Sequence, residues 1–178
     1  LNNVDITDTL TIGSGKVTLD LNGHTINMTG SGSVIKLTDS HSNFILDDGS
    51  AEKTGIITNS STDTEYGGGI NIDYGKMTMN GGTIKACIAK YGGSIYKRSG
   101  ELVIAGGTIT ECMATGDFKS RGGGIFNYNG KLEIAGGTIS KCSADGWYSG
   151  DTQYAGGGGI FNFYGNLVMS CGTITECT

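Results

Sequence analysis

The chain has no proline, no cluster of Lys or Arg, and no apolar stretch approaching the ~20 residues of a membrane span. Each absence removes a class of partner. Nucleic acid and anionic membrane surfaces both demand a basic footprint, which a net charge of -5 and a pI near 4.9 do not supply. Membrane insertion of these residues is likewise not expected. The first residue is Leu1 rather than methionine, so any signal peptide is expected to lie outside these residues. With proline missing, punctuation falls to glycine, which supplies 33 of 178 residues. The 37% hydrophobic content is too high and too regularly patterned for a disordered Gly-rich linker. One domain spanning 1–178 is expected.

The regular patterning is a repeat. Gly67-Gly68-Gly69-Ile70, Gly92-Gly93-Ser94-Ile95, Gly122-Gly123-Gly124-Ile125 and Gly157-Gly158-Gly159-Ile160 each open a unit. A glycine follows at offset five from the isoleucine (Gly75, Gly100, Gly130, Gly165). Apolar residues stand at offsets seven and nine, Met77 and Met79, Leu102 and Ile104, Leu132 and Ile134, Leu167 and Met169, around a residue that is polar in two of the four units. That alternation is strand patterning. Offset fourteen is again isoleucine (Ile84, Ile109, Ile139, Ile174), and offset seventeen is cysteine (Cys87, Cys112, Cys142, Cys177). The units are 25, 30 and 35 residues apart, yet every offset up to the cysteine is constant, so one corner absorbs all the length variation.

Three short strands per unit, separated by glycine turns, predict an all-β single-stranded solenoid, a right-handed parallel β-helix in which each strand pairs with its equivalent ~4.8 Å away. Propeller blades need about 40 residues and four strands, and leucine-rich repeats need a denser Leu and Asn pattern. Residues 1–66 carry looser coils through Val17, Leu19, Leu21, Ile26, Val34, Leu37, Phe44, Leu46 and Ile57, and 67–178 carry the regular repeats. About six coils are expected, a rod of roughly 30 Å. Exposed sheet edges at both ends of such a stack predict continuation beyond at least the C-terminus.

The runs Val17-Thr18-Leu19-Asp20-Leu21-Asn22-Gly23-His24-Thr25-Ile26, Gly-Gly-Gly-Ile-Phe-Asn at 122–127 and 157–162, and Gly-Gly-Thr-Ile at 81–84, 106–109 and 136–139 resemble the adhesin-like parallel β-helix surface proteins of gut bacteria. They are more distantly similar to polymorphic outer-membrane adhesins. The likeness covers nearly the whole chain and implies an extracellular, secreted or cell-surface module of a long protein. Its repeated residues build coils and name no substrate. Coils of this kind often place a stacked Asn at the turn after Gly-Thr-Ile, where this chain has cysteine.

Four cysteines in a row suggest metal or disulfide chemistry, but parallel Cβ vectors ~4.8 Å apart suit neither a bridge nor a tetrahedral zinc site. Buried reduced thiols are expected, with no metal and no cofactor. Cys171, at a position that is glycine in the other units, is either free or paired with Cys177. The offset-sixteen residues Ala86, Glu111, Lys141 and Glu176 alternate in sign and predict a surface ion-pair row. Tyr96, Phe126 and Phe161 form an aromatic row, read first as stacking between coils and second as a sugar platform.

The variable corner holds the leading candidate site. Loops on rigid scaffolds carry most binding, and here they lengthen coil by coil. They contain Tyr91, Asp117, Phe118, Lys119, Arg121, Trp147, Tyr148, Asp151, Gln153 and Tyr154, including the chain's one tryptophan. Such a composition suits stacking on sugar rings or a protein hot spot. The alternative, a solvated loop whose aromatics pack back on the flank, stays open.

Parallel β-helices also include the pectin-lyase-like enzymes that cleave polysaccharides. Glycoside hydrolysis needs two carboxyls about 5–10 Å apart, and lyase chemistry a calcium-binding acid cluster or a base beside a cation. Asp73, Glu101, Asp117, Glu133 and Asp151 are scattered around the coil instead. Asp73 with Lys97 and Arg98 forms one acid and cation grouping, which a surface salt bridge explains equally well. His24 and His41 lack an evident partner. A binding or adhesion module for a glycan or protein surface ligand is the leading reading, with a polysaccharide-active lyase or hydrolase second and a passive spacer third.

Overall fold

A computed structural model describes residues 2–116, 120–146, 148–149, 152–153 and 155–178. Among the described residues there is no helix, and four parallel sheets of seven, six, six and three strands are built from coils that visit them in turn. The chain is a parallel β-helix. The regular coil is represented by Ile70–Ile72 on the first face, Lys76–Met79 on the second and Thr83–Lys85 on the third. Six such trios stack, preceded by Val4–Ile6 on the third face. The connection between successive strands of one sheet runs through the other faces, a crossover for which the right-handed sense is nearly universal.

Register follows the offsets. Leu10, Ile35, Ile70, Ile95, Ile125 and Ile160 form one inward ladder. Val17, Phe44, Met77, Leu102, Leu132 and Leu167 form a second, and Ile26, Ile57, Ile84, Ile109, Ile139 and Ile174 a third. The irregular first coils therefore share the register of the regular ones. Burial comes from the coils above and below: Met77, Leu102, Ile84 and Ile109 are fully buried, whereas Val17 and Leu167 at the two ends are 38% and 39% exposed.

The coil is not a simple triangle. A short fourth strand appears at the variable corner, as Ile88–Ala89, Met113–Thr115 and Ser143–Asp145. The residue before each cysteine holds a left-handed backbone, φ 51–55° at Ala86, Glu111, Lys141 and Glu176, and turns the chain from the third face onto this strand. The fourth strand lies so close to the glycine triad of its coil that a Cβ on Gly93 would sit 2.5 Å from the Met113 carbonyl oxygen. The third glycine makes room for sulfur, since a Cβ on Gly124 would lie 3.5 Å from Cys142 Sγ. Glycine and cysteine are thus two halves of one packing solution.

All five cysteines are unpaired; Cys87, Cys112 and Cys142 are buried and Cys171 is exposed. Each laddered thiol donates to the carbonyl two residues back, as Cys112 does to Thr110 at 3.2 Å and Cys142 to Ser140 at 3.3 Å. Burial pushes the Cys112 thiol well up, and the neighbouring Cys112 thiol followed by burial does the same to Cys142. These groups remain neutral small hydrophobes.

Two of the buried polar features bear directly on stability. Asp48, fully buried, accepts hydrogen bonds from the backbone N–H of Gly23 (2.8 Å), Ser50 (3.2 Å) and Gly55 (2.6 Å) and from the Ser50 hydroxyl (2.8 Å). Burial alone would raise its pKa, but the four donors, led by Gly55, outweigh it and hold the carboxyl below its ordinary value. The second feature is a column at offset two. Ile12, Leu37 and Ile72 are followed in register by Lys97, Asn127 and Asn162. Lys97 is fully buried and donates to the carbonyls of Gly100 (3.1 Å) and Asn129. Asn127 donates to Asn162 Oδ1 at 2.6 Å.

Burial lowers the Lys97 pKa from 10.5 to about 8, only partly countered by Glu101. The unfolded chain therefore holds this proton to higher pH than the folded one, and stability rises as pH climbs from about 8 to 10.5. At ~1.4 kcal/mol per unit the charge penalty near neutrality is about 3 kcal/mol. Lys97→Met fits the same column, and after the loss of two hydrogen bonds it is expected to stabilise by about 1–2 kcal/mol at pH 7. Urea unfolding at pH 7 and above pH 10 checks this, because the gain must shrink at the higher pH.

The surface ion pairs differ from the expected row. No pair joins Lys141 to Glu111 or Glu176 among the described residues. Glu111 reaches Lys85 instead, at 3.5 Å. The alternating row lies on the second face: Glu101 contacts Lys76 at 2.9 Å and Lys131 at 3.1 Å, and Lys131 contacts Glu133 at 2.7 Å.

Candidate functional site

Strand alternation points Ile95, Ile125 and Ile160 inward and turns Tyr96, Phe126 and Phe161 outward from the first face. Even so, Tyr96 and Phe126 are only 7% and 4% exposed. A second layer of rings covers them. Tyr66 and Tyr91 occupy the rung just before the glycine triads, where isolated bridges align Tyr66, Tyr91, Arg121 and Gly156. On the other side of the row stand Tyr128 and Phe163. Tyr66 and Tyr91 stack with centroids 5.6 Å apart and planes at 22°, and Tyr66 lies 4.7 Å from Tyr96. Tyr96, Phe126 and Phe161 meet edge to face at 5.4 and 5.2 Å, while Tyr128 and Phe163 are 5.7 Å apart.

Between these two ring walls lies a cleft of about 200 Å³ lined by Tyr66, Tyr91, Tyr96, Arg121, Phe126, Tyr128 and Phe163. Its lining contains four phenols, one cation and no carboxylate. Burial, and then the neighbouring Tyr66, push Tyr96 up to about 12, and burial followed by Glu65 raises Tyr66. Both phenols are therefore neutral at physiological pH, each an apolar body with a hydroxyl that donates and accepts. The rung ladder sets Arg121 in place. Gly156, next along the ladder, has no side chain, and the Arg121 guanidinium lies over Phe161 at 4.8 Å and Phe163 at 5.7 Å in the following coil.

Of the residues expected from the sequence to form a site, the structure brings Tyr91 and Arg121 together in this cleft. Asp117, Phe118, Lys119, Trp147, Asp151 and Tyr154 lie outside the described residues. Tyr148 and Gln153 are opposed in a short antiparallel pairing of Tyr148–Ser149 with Thr152–Gln153. Of the aromatic row, read first as packing, Tyr96 and Phe126 are the floor of the cleft as well as part of a stack. Tyr66, Tyr128 and Phe163 were not singled out in the sequence. Their signal was positional, at the rung before the glycine triad and at offset three.

Among the described residues the candidate acids do not assemble. Asp73 pairs with Lys36 at 3.0 Å, not with Lys97 or Arg98, because Lys97 points into the core and Arg98 lies 5.9 Å from the Tyr74 ring centre. Glu101 and Glu133 are held in the second-face ion pairs. His41 does have a partner: its Nδ1 lies 3.0 Å from Asp39 Oδ1, an exposed contact. Among the described residues no three His, Cys, Asp or Glu side chains converge as a metal site would require. No protein-family model, no curated protein and no solved structure matches the chain.

Proposed function

We propose that this chain is a glycan-binding module of a surface-displayed or secreted protein, and that its ligand sits in the aromatic cleft of the first face. The observation that carries the reading is the cleft itself: two ring walls, Tyr66 with Tyr91 on the bridged rung and Tyr128 with Phe163 just past the strand ends, over a floor held by paired strands, with four phenols and no acid among the lining residues. Apolar faces with polar tips match the alternating C–H and O–H surfaces of a pyranose ring. The paired strands fix the floor rings Tyr96 and Phe126 before any ligand arrives, which limits the ordering cost of binding. The first face is also continuous with the variable corner through the Tyr91 and Arg121 rung. A hydrolase is disfavoured because Asp73, Glu101 and Glu133 are each committed to a lysine.

The test is a glycan and mucin array probed with the chain, with a Tyr66→Ala, Tyr128→Ala double variant, and with a variant in which 145–154 is replaced by a two-residue turn. Truncating an aromatic hot-spot residue typically costs about 2 kcal/mol, so the double variant is expected to lose affinity at least ~30-fold. The loop variant is expected to retain binding with altered selectivity. Binding lost only with the loop moves the site to the corner, and an array blank for the unmodified chain overturns the glycan reading.

A further inference from the structure

We infer that the cleft takes a sugar bearing a carboxylate, with Arg121 as the residue that recognises that group. The inference rests on the glycan reading and adds a ligand class to it. Arg121 is the one charged residue among those lining the cleft. Among the described residues no carboxylate pairs with it, although Lys36, Lys76, Lys85 and Lys131 all find acids nearby. The Arg121 guanidinium carbon lies over the Phe161 and Phe163 rings, 4.8 and 5.7 Å from their centres. The rings take the place of an acid partner, and a guanidinium presents its N–H donors in a planar fork that matches a carboxylate. Gly156 completes the device: any side chain on that rung would compete for the faces of Phe161, since even a Cβ there would lie 3.1 Å from the ring.

General electrostatics work against an anion here. The net charge of -5 repels one at long range. A preference for an acidic sugar therefore has to come from a local contact, which makes Arg121 separable from background charge.

Calorimetric titration of the full chain with matched pairs tests this: a uronic-acid oligosaccharide against its methyl ester, and sialyllactose against lactose. The acid form is expected to bind about 10- to 100-fold more tightly in whichever pair fits the ring walls, as charge-assisted hydrogen bonds do. Arg121→Gln is expected to erase that ratio, and Arg121→Lys to restore only part of it. Equal binding of acid and neutral forms by the unmodified chain, a ratio that survives in Arg121→Gln, or tighter binding of an O-sulfated than of a carboxylated sugar each overturns the inference. If neutral sugars bind, and Tyr66→Ala with Tyr128→Ala abolishes it, but no acid preference exists, the glycan reading stands and this one falls. If no sugar binds at all, both fall.

Discussion

Adding one methyl group at Gly123 is expected to destabilise the chain by at least about 4 kcal/mol, a large share of the 5–15 kcal/mol that holds a typical domain together. The Cβ would overlap the Ser143 carbonyl of the fourth strand and lie 2.5 Å from the Gly158 oxygen of the next coil. Both obstacles are backbone, held in ladders, and neither yields as a side-chain tip would. The substitution also acts at a corner repeated in every regular coil, so relief at one coil displaces the register of its neighbours. Gly13→Ala is the control. Nothing lies within 4 Å of its added carbon, so its effect is expected to stay within about 0.5 kcal/mol. Urea midpoints by circular dichroism compare the two, and a Gly123→Ala midpoint close to that of the unmodified chain refutes the close-packed corner.

Asp48→Ala is expected to cost about 3–5 kcal/mol. It leaves the Gly23, Ser50 and Gly55 N–H groups and the Ser50 hydroxyl facing a void, and each orphaned buried donor forfeits about 1–3 kcal/mol before relaxation. Asp48→Asn preserves the shape but sets an amide N–H against one of the backbone donors, and an intermediate loss of about 2 kcal/mol is expected. The pH dependence has a definite sign. The folded carboxyl titrates below its ordinary value of 3.8, so its contribution is present above pH 3.8 and is lost as pH falls through the lower folded value. Unfolding curves at pH 7 and pH 3 should therefore converge for Asp48→Asn and the unmodified chain as acid is added. A gap that persists unchanged below pH 3 contradicts the assigned role.

The fold was legible because a parallel solenoid turns constant spacing into contact. Ile84, Ile109 and Ile139 recur at one offset, and they meet as in-register partners. The first coils, with no glycine triad, were still readable from Leu19, Leu46 and Ile57. What the sequence did not reveal was which side chains defy their type. Lys97 shares the inward alternation of Ile95, yet its charge pulled the reading to the surface, where an acid such as Asp73 would meet it. Burial won because its amine finds two backbone carbonyls inside the coil. The cleft was half legible. Tyr91 and Arg121 stood out as loop residues, but Tyr66 and Phe163 acquire meaning only when rungs from coils 25 to 35 residues apart are laid side by side. Local composition around Trp147 drew attention to the loop tips, whereas the rings that assemble belong to strands and rung positions.

The rung formed by Tyr66, Tyr91, Arg121 and Gly156 closes every loop at a fixed height, whatever number of residues lies before it. An insertion between the fourth strand and that rung is therefore insulated from the ladders on the other faces. Such a molecule separates the part of its sequence that must be inherited intact from the part free to diversify. New surface shapes can be tried at one corner, coil by coil, without renegotiating the scaffold that displays them.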